Sequence, residues 1–394
     1  MYEFIFPSKT TWISSGSNVV LNTKETDQNF GKDQILELKK EFEDLSFKYR
    51  TRVLCQFVLS SVSASVARWK SGQRIGDVIP PPTSAGQGYN QRANSRWYLK
   101  LYEAEGNKGS TEEYKLTAFP ISQSWDEGIG SSGDSPKVTD GASWKYRLNP
   151  DNGAATHWKE KGKANNFTSS GAPYLTGSGY EASQSFSNQS PDIEMDVTNI
   201  VDKWLVGSAS NNGFLLTFSG SQETNQTTFG NLKFFSRNTT IYAPKLEARW
   251  DNHAVITGSS TGSMTPVTMS GNVDNYIYSK GLRESYREDE KVKFRFGLRK
   301  RYITKSFSTS VQTTSGSYIP EGSSSYSIKD VATGETIIPF SPYTSMSCDS
   351  DGNYFIQKLN GFYPNRRYQI LIKVDYNDGQ KHIFAENFEF KVVR

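Results

Sequence analysis

The residues of this chain suited to chemistry are few. Two carboxylates facing each other across a bond can hydrolyse a glycoside. The best acidic candidates are Asp126 and Glu127, inside Ser124-Trp125-Asp126-Glu127-Gly128. Adjacent residues on an extended strand point to opposite faces, so this pair alone cannot be such a dyad. A loop corner packed around Trp125 is the simpler expectation. The histidines are His157, His253 and His382, and none neighbours another His, Cys or acidic cluster at ligand spacing. No zinc site or His-based general base is therefore expected. No G-x-S-x-G elbow, P-loop or H-E-x-x-H is present. Asp134, Asp140 and Asp151 lie in loops that could supply oxygen ligands, but their spacing matches no EF-hand. Asp349-Ser350-Asp351-Gly352-Asn353 looks in part like a calcium loop, and a tight hairpin accounts for it better. No residue is thus assigned a catalytic, cofactor-binding or metal-binding role, and a non-enzymatic protein without cofactor is expected.

Binding is the remaining chemistry. Trp144-Lys145-Tyr146-Arg147 and Thr156-His157-Trp158 interleave aromatic and basic residues in loop-rich sequence. With Tyr174, the residues Trp144, Tyr146, His157 and Trp158 could stack on sugar faces or meet a protein partner. Packing within the core or the loops is the competing reading. Arg299-Lys300-Arg301 could contact acidic neighbours in an assembly. The net charge of +4 over 394 residues is too small to imply nucleic-acid binding. The two cysteines, Cys55 and Cys348, are far apart and read as buried free thiols rather than a disulfide framework.

The elements that must position these residues are strands. Aromatics at 13% and charged residues at 22% describe a chain with mass to bury, which a disordered chain lacks. Ile35-Leu36-Glu37-Leu38-Lys39 alternates. Val53 to Leu59 is apolar at nearly every position, as in a strand buried on both faces. Further strands are expected at 97–102, 114–119, 193–197, 214–218, 232–235 and 245–250, with Gly, Ser, Asn, Asp and Pro between them. One helix stands out, with apolar residues at 197, 200, 201, 204 and 205. Asp196 or Thr198 could cap its start and Gly207 its end. Long loops are expected at 71–95 and 127–190. Residues 253–271 are rich in Ser, Thr and Gly and read as a linker. Seven more strands follow between 273 and 392, with Tyr376-Asn377-Asp378-Gly379 as a hairpin turn. Lys291-Val292-Lys293-Phe294-Arg295-Phe296 reads as a strand with one charged face. The expected class is all-β: a jelly-roll β-sandwich over 1–252, then a smaller immunoglobulin-like sandwich over 272–394. No apolar run approaches ~18 residues, so no membrane-spanning helix is expected, and Met1 to Pro7 does not read as a secretory signal.

Residues 1–252 resemble the DNRLRE-type, carbohydrate-binding-module-like sandwich. The resemblance runs through Thr10-Thr11-Trp12-Ile13, Asn29-Phe30-Gly31, Arg52-Val53-Leu54-Cys55-Gln56-Phe57, Trp125-Asp126-Glu127-Gly128, Ile193 to Thr198, Asn212-Gly213-Phe214 and Ala243-Pro244-Lys245-Leu246. The C-terminal part is similar to the terminal domain of structural proteins from tailed, cyanophage-like myoviruses. That similarity rests on Arg301 to Phe307, Tyr326-Ser327-Ile328-Lys329-Asp330, Ile338-Pro339-Phe340, Ser347 to Phe355 and Phe390 to Arg394. It implies a structural protein of the virion, in the tail, neck or baseplate, assembled in the host cytoplasm. The implied partners are other virion proteins, in multiple copies within a symmetric assembly. A carbohydrate-binding adhesin that grips host surface glycans is the alternative. Neither a membrane nor a nucleic-acid partner is expected.

Overall fold

The computed structural model describes residues 1–18, 23–44, 47–60, 62–64, 95–105, 113–150, 153–160, 168–187, 192–270, 274–302, 307, 309 and 316–394. All of the loop expected at 71–95 except Ser95, together with Asp151 and most of the Arg301–Phe307 run, lies outside these. The chain is all-β, as its alternating patterns predict, and divides into two compact units. One comprises Phe4–Ala67 and Arg96–Ala248. The other comprises Met1–Glu3, Arg68–Ser95 and Arg249–Arg394.

In the first unit the strand Phe47–Phe57 organises a seven-stranded sheet. It pairs antiparallel with Ile35–Asp44, Pro7–Ser14 and Phe214–Phe218. Glu113–Pro120 and Ala182–Ser187 continue the sheet beyond Phe214–Phe218, and Gly230–Phe235 flanks Ile35–Asp44. Val53, Leu54 and Cys55 are all buried, as are all five residues of Phe214–Phe218. Both faces are therefore covered, which explains the unbroken apolar sequence. A second sheet includes Lys245–Arg249, Arg96–Leu101 and Ile193–Asp196, in that order. The helix Thr198–Leu205 follows directly, burying Ile200, Val201 and Trp204, with the Trp204 ring 4.6 Å from that of Phe214. The carboxylate of Asp196 accepts from the Thr198 amide at 3.0 Å, and Gly207 leaves the helix at φ 80°.

In the second unit, two six-stranded sheets face each other across an aromatic core. The Tyr326 and Phe355 rings stack at 3.7 Å, and Phe294 and Phe390 lie 5.2 Å apart. Burial holds the Tyr326 phenol far above its ordinary pKa. The Asn377-Asp378-Gly379 turn joins Arg367–Asp375 to Lys381–Phe384, with Gly379 at φ 82°. The segment 253–271 is not a free linker. Thr265–Pro266 pairs in parallel with Ser317–Tyr318, and Val267 and Met269 are buried. Its polar composition gives no sign of this, because two backbone-paired residues and two apolar anchors suffice to fix it. Among the described residues no helix is long and apolar enough to cross a membrane.

Candidate functional site

The five aromatics singled out above converge on one structure in the first unit. Tyr146–Leu148, Thr156–Lys159 and Thr168–Ser169 form a small antiparallel sheet, a flap over the seven-stranded one. Side chains alternate along Thr156–Lys159, and the two faces have different fates. Trp158 points inward and is 0% exposed. Trp144 and Trp125 join it in a cluster with Ile13, Leu54, Phe119, Ile121 and Leu215, and Tyr174 packs against that cluster. The Trp158 indole donates to the Ser143 carbonyl at 2.8 Å, and the Trp125 indole donates to that of Asn212 at 2.8 Å. Trp144 and Trp158 are thus fastenings of the flap rather than open sugar platforms. His157 and Tyr146 sit on the outer face in register with each other, with ring centroids 4.5 Å apart. Tyr174 is half-buried and stacks on Phe119 at 4.3 Å.

Beneath the flap lies a charged device. The Arg52 guanidinium donates through Nε to Glu223 at 2.7 Å and through a second nitrogen to the Gly171 carbonyl. It also lies 5.2 Å from the Trp144 ring and 5.5 Å from that of Tyr174. Burial alone would raise the Glu223 carboxyl, but the charge and hydrogen bond of Arg52, with the charge of Arg50, outweigh it and hold the carboxyl below its ordinary 4.5. The one sequence sign of this pair is an arginine opening an apolar strand, a position where a cation needs a partner.

The acidic pair separates, although 125–129 forms a loop corner rather than a strand. Asp126 is exposed, whereas Glu127 is buried and gripped by Arg237 through two hydrogen bonds of 2.6 Å each. Glu127 also accepts from the Thr10 amide at 2.8 Å. Its lone pairs are committed to holding the fold. The loop that follows is tied to Asn29, which is fully buried and uses its whole side-chain amide. Its Nδ2 donates to the Glu127 and Ala142 carbonyls at 2.8 Å, and its Oδ1 accepts from Gly31 and Gly130. A Cβ on Gly31 would run into the Glu127 carbonyl, so glycine is required there.

That same loop borders a polar cleft of about 530 Å³ lined by Lys32, Asp33, Glu37, Glu105, Ser131 and Lys233 among others. Asp33 accepts from the Trp12 indole at 2.9 Å, from the Ser131 hydroxyl at 3.0 Å and from the Ser132 amide at 3.0 Å. Burial pushes its carboxyl above its ordinary 3.8 despite these bonds. Lys39 pairs with Glu37, and Lys233 pairs with Glu105. The cleft offers donors and acceptors suited to a hydroxylated ligand, and nothing in the sequence marked it. Among the described residues no group of three or more His, Cys, Asp or Glu side chains could hold a metal ion. The Asp349–Asn353 turn is occupied by salt bridges: Lys293 and Arg295 reach Asp349 at 2.7 and 2.8 Å. Cys55 and Cys348 are free and buried. No family model, curated protein or solved structure matches this chain.

Proposed function

We propose that this chain is a non-catalytic structural protein of a tailed-phage particle, docking on neighbouring virion subunits in multiple copies. The observation that carries this reading is rigid display. The described parts of 125–174 are fastened to the sheet by three tryptophans and by Arg52, which holds the Gly171 carbonyl and Glu223. A docking surface presented on a fixed scaffold binds without having to order itself first. The resemblance of the C-terminal strands to tailed-phage structural proteins supplies the setting. Mass spectrometry and cryo-electron microscopy of purified particles of a phage encoding this chain test it. Repeated copies on the tail, neck or baseplate are expected, and absence from the particles would refute it.

The outer-face pair of half-buried Tyr146 and exposed His157 favours a second reading, a host-glycan adhesin on the same particle. Two aromatic rings side by side on an outer strand face present flat apolar surface beside polar edges, as a sugar requires. Glycan-array binding that disappears with Tyr146→Ala supports this reading, and silence of the array at high protein concentration removes it.

A further inference from the structure

One face of the second unit is built differently from the rest of the surface. The strands Asn275–Lys280, Lys291–Lys300 and Gly352–Lys358 lie side by side in one sheet. Their inward residues, among them Ile277, Phe294, Phe296, Leu298 and Phe355, are core. Their outward residues pair across the strands in register: Tyr276 with Arg299, Tyr278 with Gly297, Lys280 with Arg295, and Arg295 with Tyr354. The outward face is therefore tyrosines interleaved with cations, all at least partly exposed.

Gly297 explains the shape of this face. A Cβ there would collide with the far end of the Tyr278 ring and with Lys280. The Tyr278 ring thus lies down over Gly297 instead of standing off the sheet. The Tyr276 ring is nearly coplanar in orientation, with an interplanar angle of 17° and a centroid separation of 6.4 Å. The guanidinium of Arg299 sits 4.8 Å from Tyr276, and the Lys280 ammonium sits 6.0 Å from Tyr278. Two flat rings are flanked by one cation each.

Charge complementarity selects the ligand. Lys293 and Arg295 are matched on the spot by Asp349 and Asp351. Among the described residues of this face, Arg299 and Lys280 stand at the two ends of the tyrosine pair with no carboxylate paired to them, Lys280 donating to the Asp351 carbonyl. A nucleic acid carries a charge on every nucleotide, and its binding rests on a continuous basic track. Here the track is interrupted by two aspartates. Sparse, spaced anionic charge and broad hydroxylated rings fit better.

We propose that this tyrosine-and-cation sheet face binds an acidic oligosaccharide, with sugar rings on Tyr276 and Tyr278 and a carboxylate at Arg299 or Lys280. The proposal does not depend on the virion reading. Calorimetric titration of the full chain with oligosaccharides of hyaluronan, alginate and polysialic acid tests it. Neutral maltohexaose and a single-stranded deoxythymidine oligomer are titrated alongside. At least one acidic oligosaccharide is expected to bind, more weakly as salt rises. Tyr278→Ala is expected to lower that affinity about tenfold or more, the usual cost of removing a central aromatic anchor. Gly297→Val, which keeps every tyrosine but lifts the Tyr278 ring, should do the same with an unchanged thermal midpoint. Arg299→Gln should weaken the acidic ligand and reduce the salt dependence. Silence of all three acidic probes overturns the proposal. So does maltohexaose binding equally well, tighter binding of the deoxythymidine oligomer, or affinity untouched by both Tyr278→Ala and Gly297→Val.

Discussion

At the scale of single residues, the buried polar groups carry the clearest consequences. Asn29 satisfies four backbone groups at once in a dry corner. Asn29→Ala would leave two carbonyls and two amides without partners, and each buried unsatisfied group costs about 1–3 kcal/mol. A loss of about 3 kcal/mol or more is expected, read as a lower urea midpoint at an unchanged slope. Glu223 gives a pH signature. Its folded carboxyl titrates below its ordinary 4.5, so the unfolded chain binds the proton more readily. Its stabilisation is fully present above that value and is lost as pH falls through the folded pKa. Glu223→Gln should flatten the acid limb of a stability-versus-pH curve. It should also cost about 3–5 kcal/mol at pH 7, because Arg52 is left buried without its counter-charge. An acid limb as steep in the variant as in the parent would refute the assignment. The thiols make a simpler case. Burial pushes Cys55 up to about 12 and Cys348 up to about 11, so neither should react with Ellman's reagent at pH 8 until the chain is unfolded.

At the scale of elements, the flap depends on its tryptophans. Trp158→Ala removes a fully buried indole, a change that costs about 3–5 kcal/mol in a core. Because the ring fastens a small three-stranded sheet, the loss should be partly local. Limited proteolysis is expected to cut within 145–150 or 153–160 in the variant, where the parent resists. Cleavage spread evenly along the chain would instead mean global loosening. The strands with clear alternation were legible in the sequence, because alternation is a local property; Pro7–Ser14 was not, nor were Tyr146–Leu148, Thr156–Lys159, Thr168–Ser169 and Ala182–Ser187, which lie in the stretch 127–190 expected to be loop. Val53 to Leu59 reads as doubly buried; Val53, Leu54, Cys55, Phe57 and Leu59 are buried, whereas Gln56 is half-buried and Val58, beyond the strand end, is exposed. The helix at 198–205 was legible from its apolar stripe for the same reason. The inward or outward fate of each aromatic was not. Trp144 and Tyr146 share one tetrapeptide, yet the first is core and the second reaches the surface. Which parity faces in depends on what packs beneath, in this case Leu54 and Leu215 from strands far away in sequence. The partners of Arg52 and Glu127 were hidden likewise, since Glu223 and Arg237 are brought to them only by the completed sheet.

At the scale of the whole molecule, the sequence placed the boundary between the units at a polar stretch, and contacts place it at Ala248/Arg249. The N-terminal residues Met1–Glu3 belong with the C-terminal unit, a feature of connectivity that no local pattern encodes. Gln357 is the residue that makes this consequential. It is fully buried, and its Nε2 donates to the Tyr2 carbonyl at 2.7 Å while its Oε1 lies 3.4 Å from the Tyr2 amide. Lys358 pairs with Glu3 at 2.9 Å. A fragment spanning 249–394 lacks the Tyr2 backbone, and there Gln357 keeps the Lys358 carbonyl at 2.8 Å and the Tyr326 hydroxyl at 3.3 Å. Gln357→Leu should accordingly cost more in the intact chain than in the fragment. In the intact chain it removes the hydrogen bonds to the Tyr2 amide and carbonyl as well, each worth about 0.5–1.5 kcal/mol. In the fragment those bonds are already gone, so the same substitution should lower the denaturant midpoint less. Chemical denaturation of the four proteins decides the matter. An equal loss in both contexts would mean that Tyr2 does not supply a partner for Gln357.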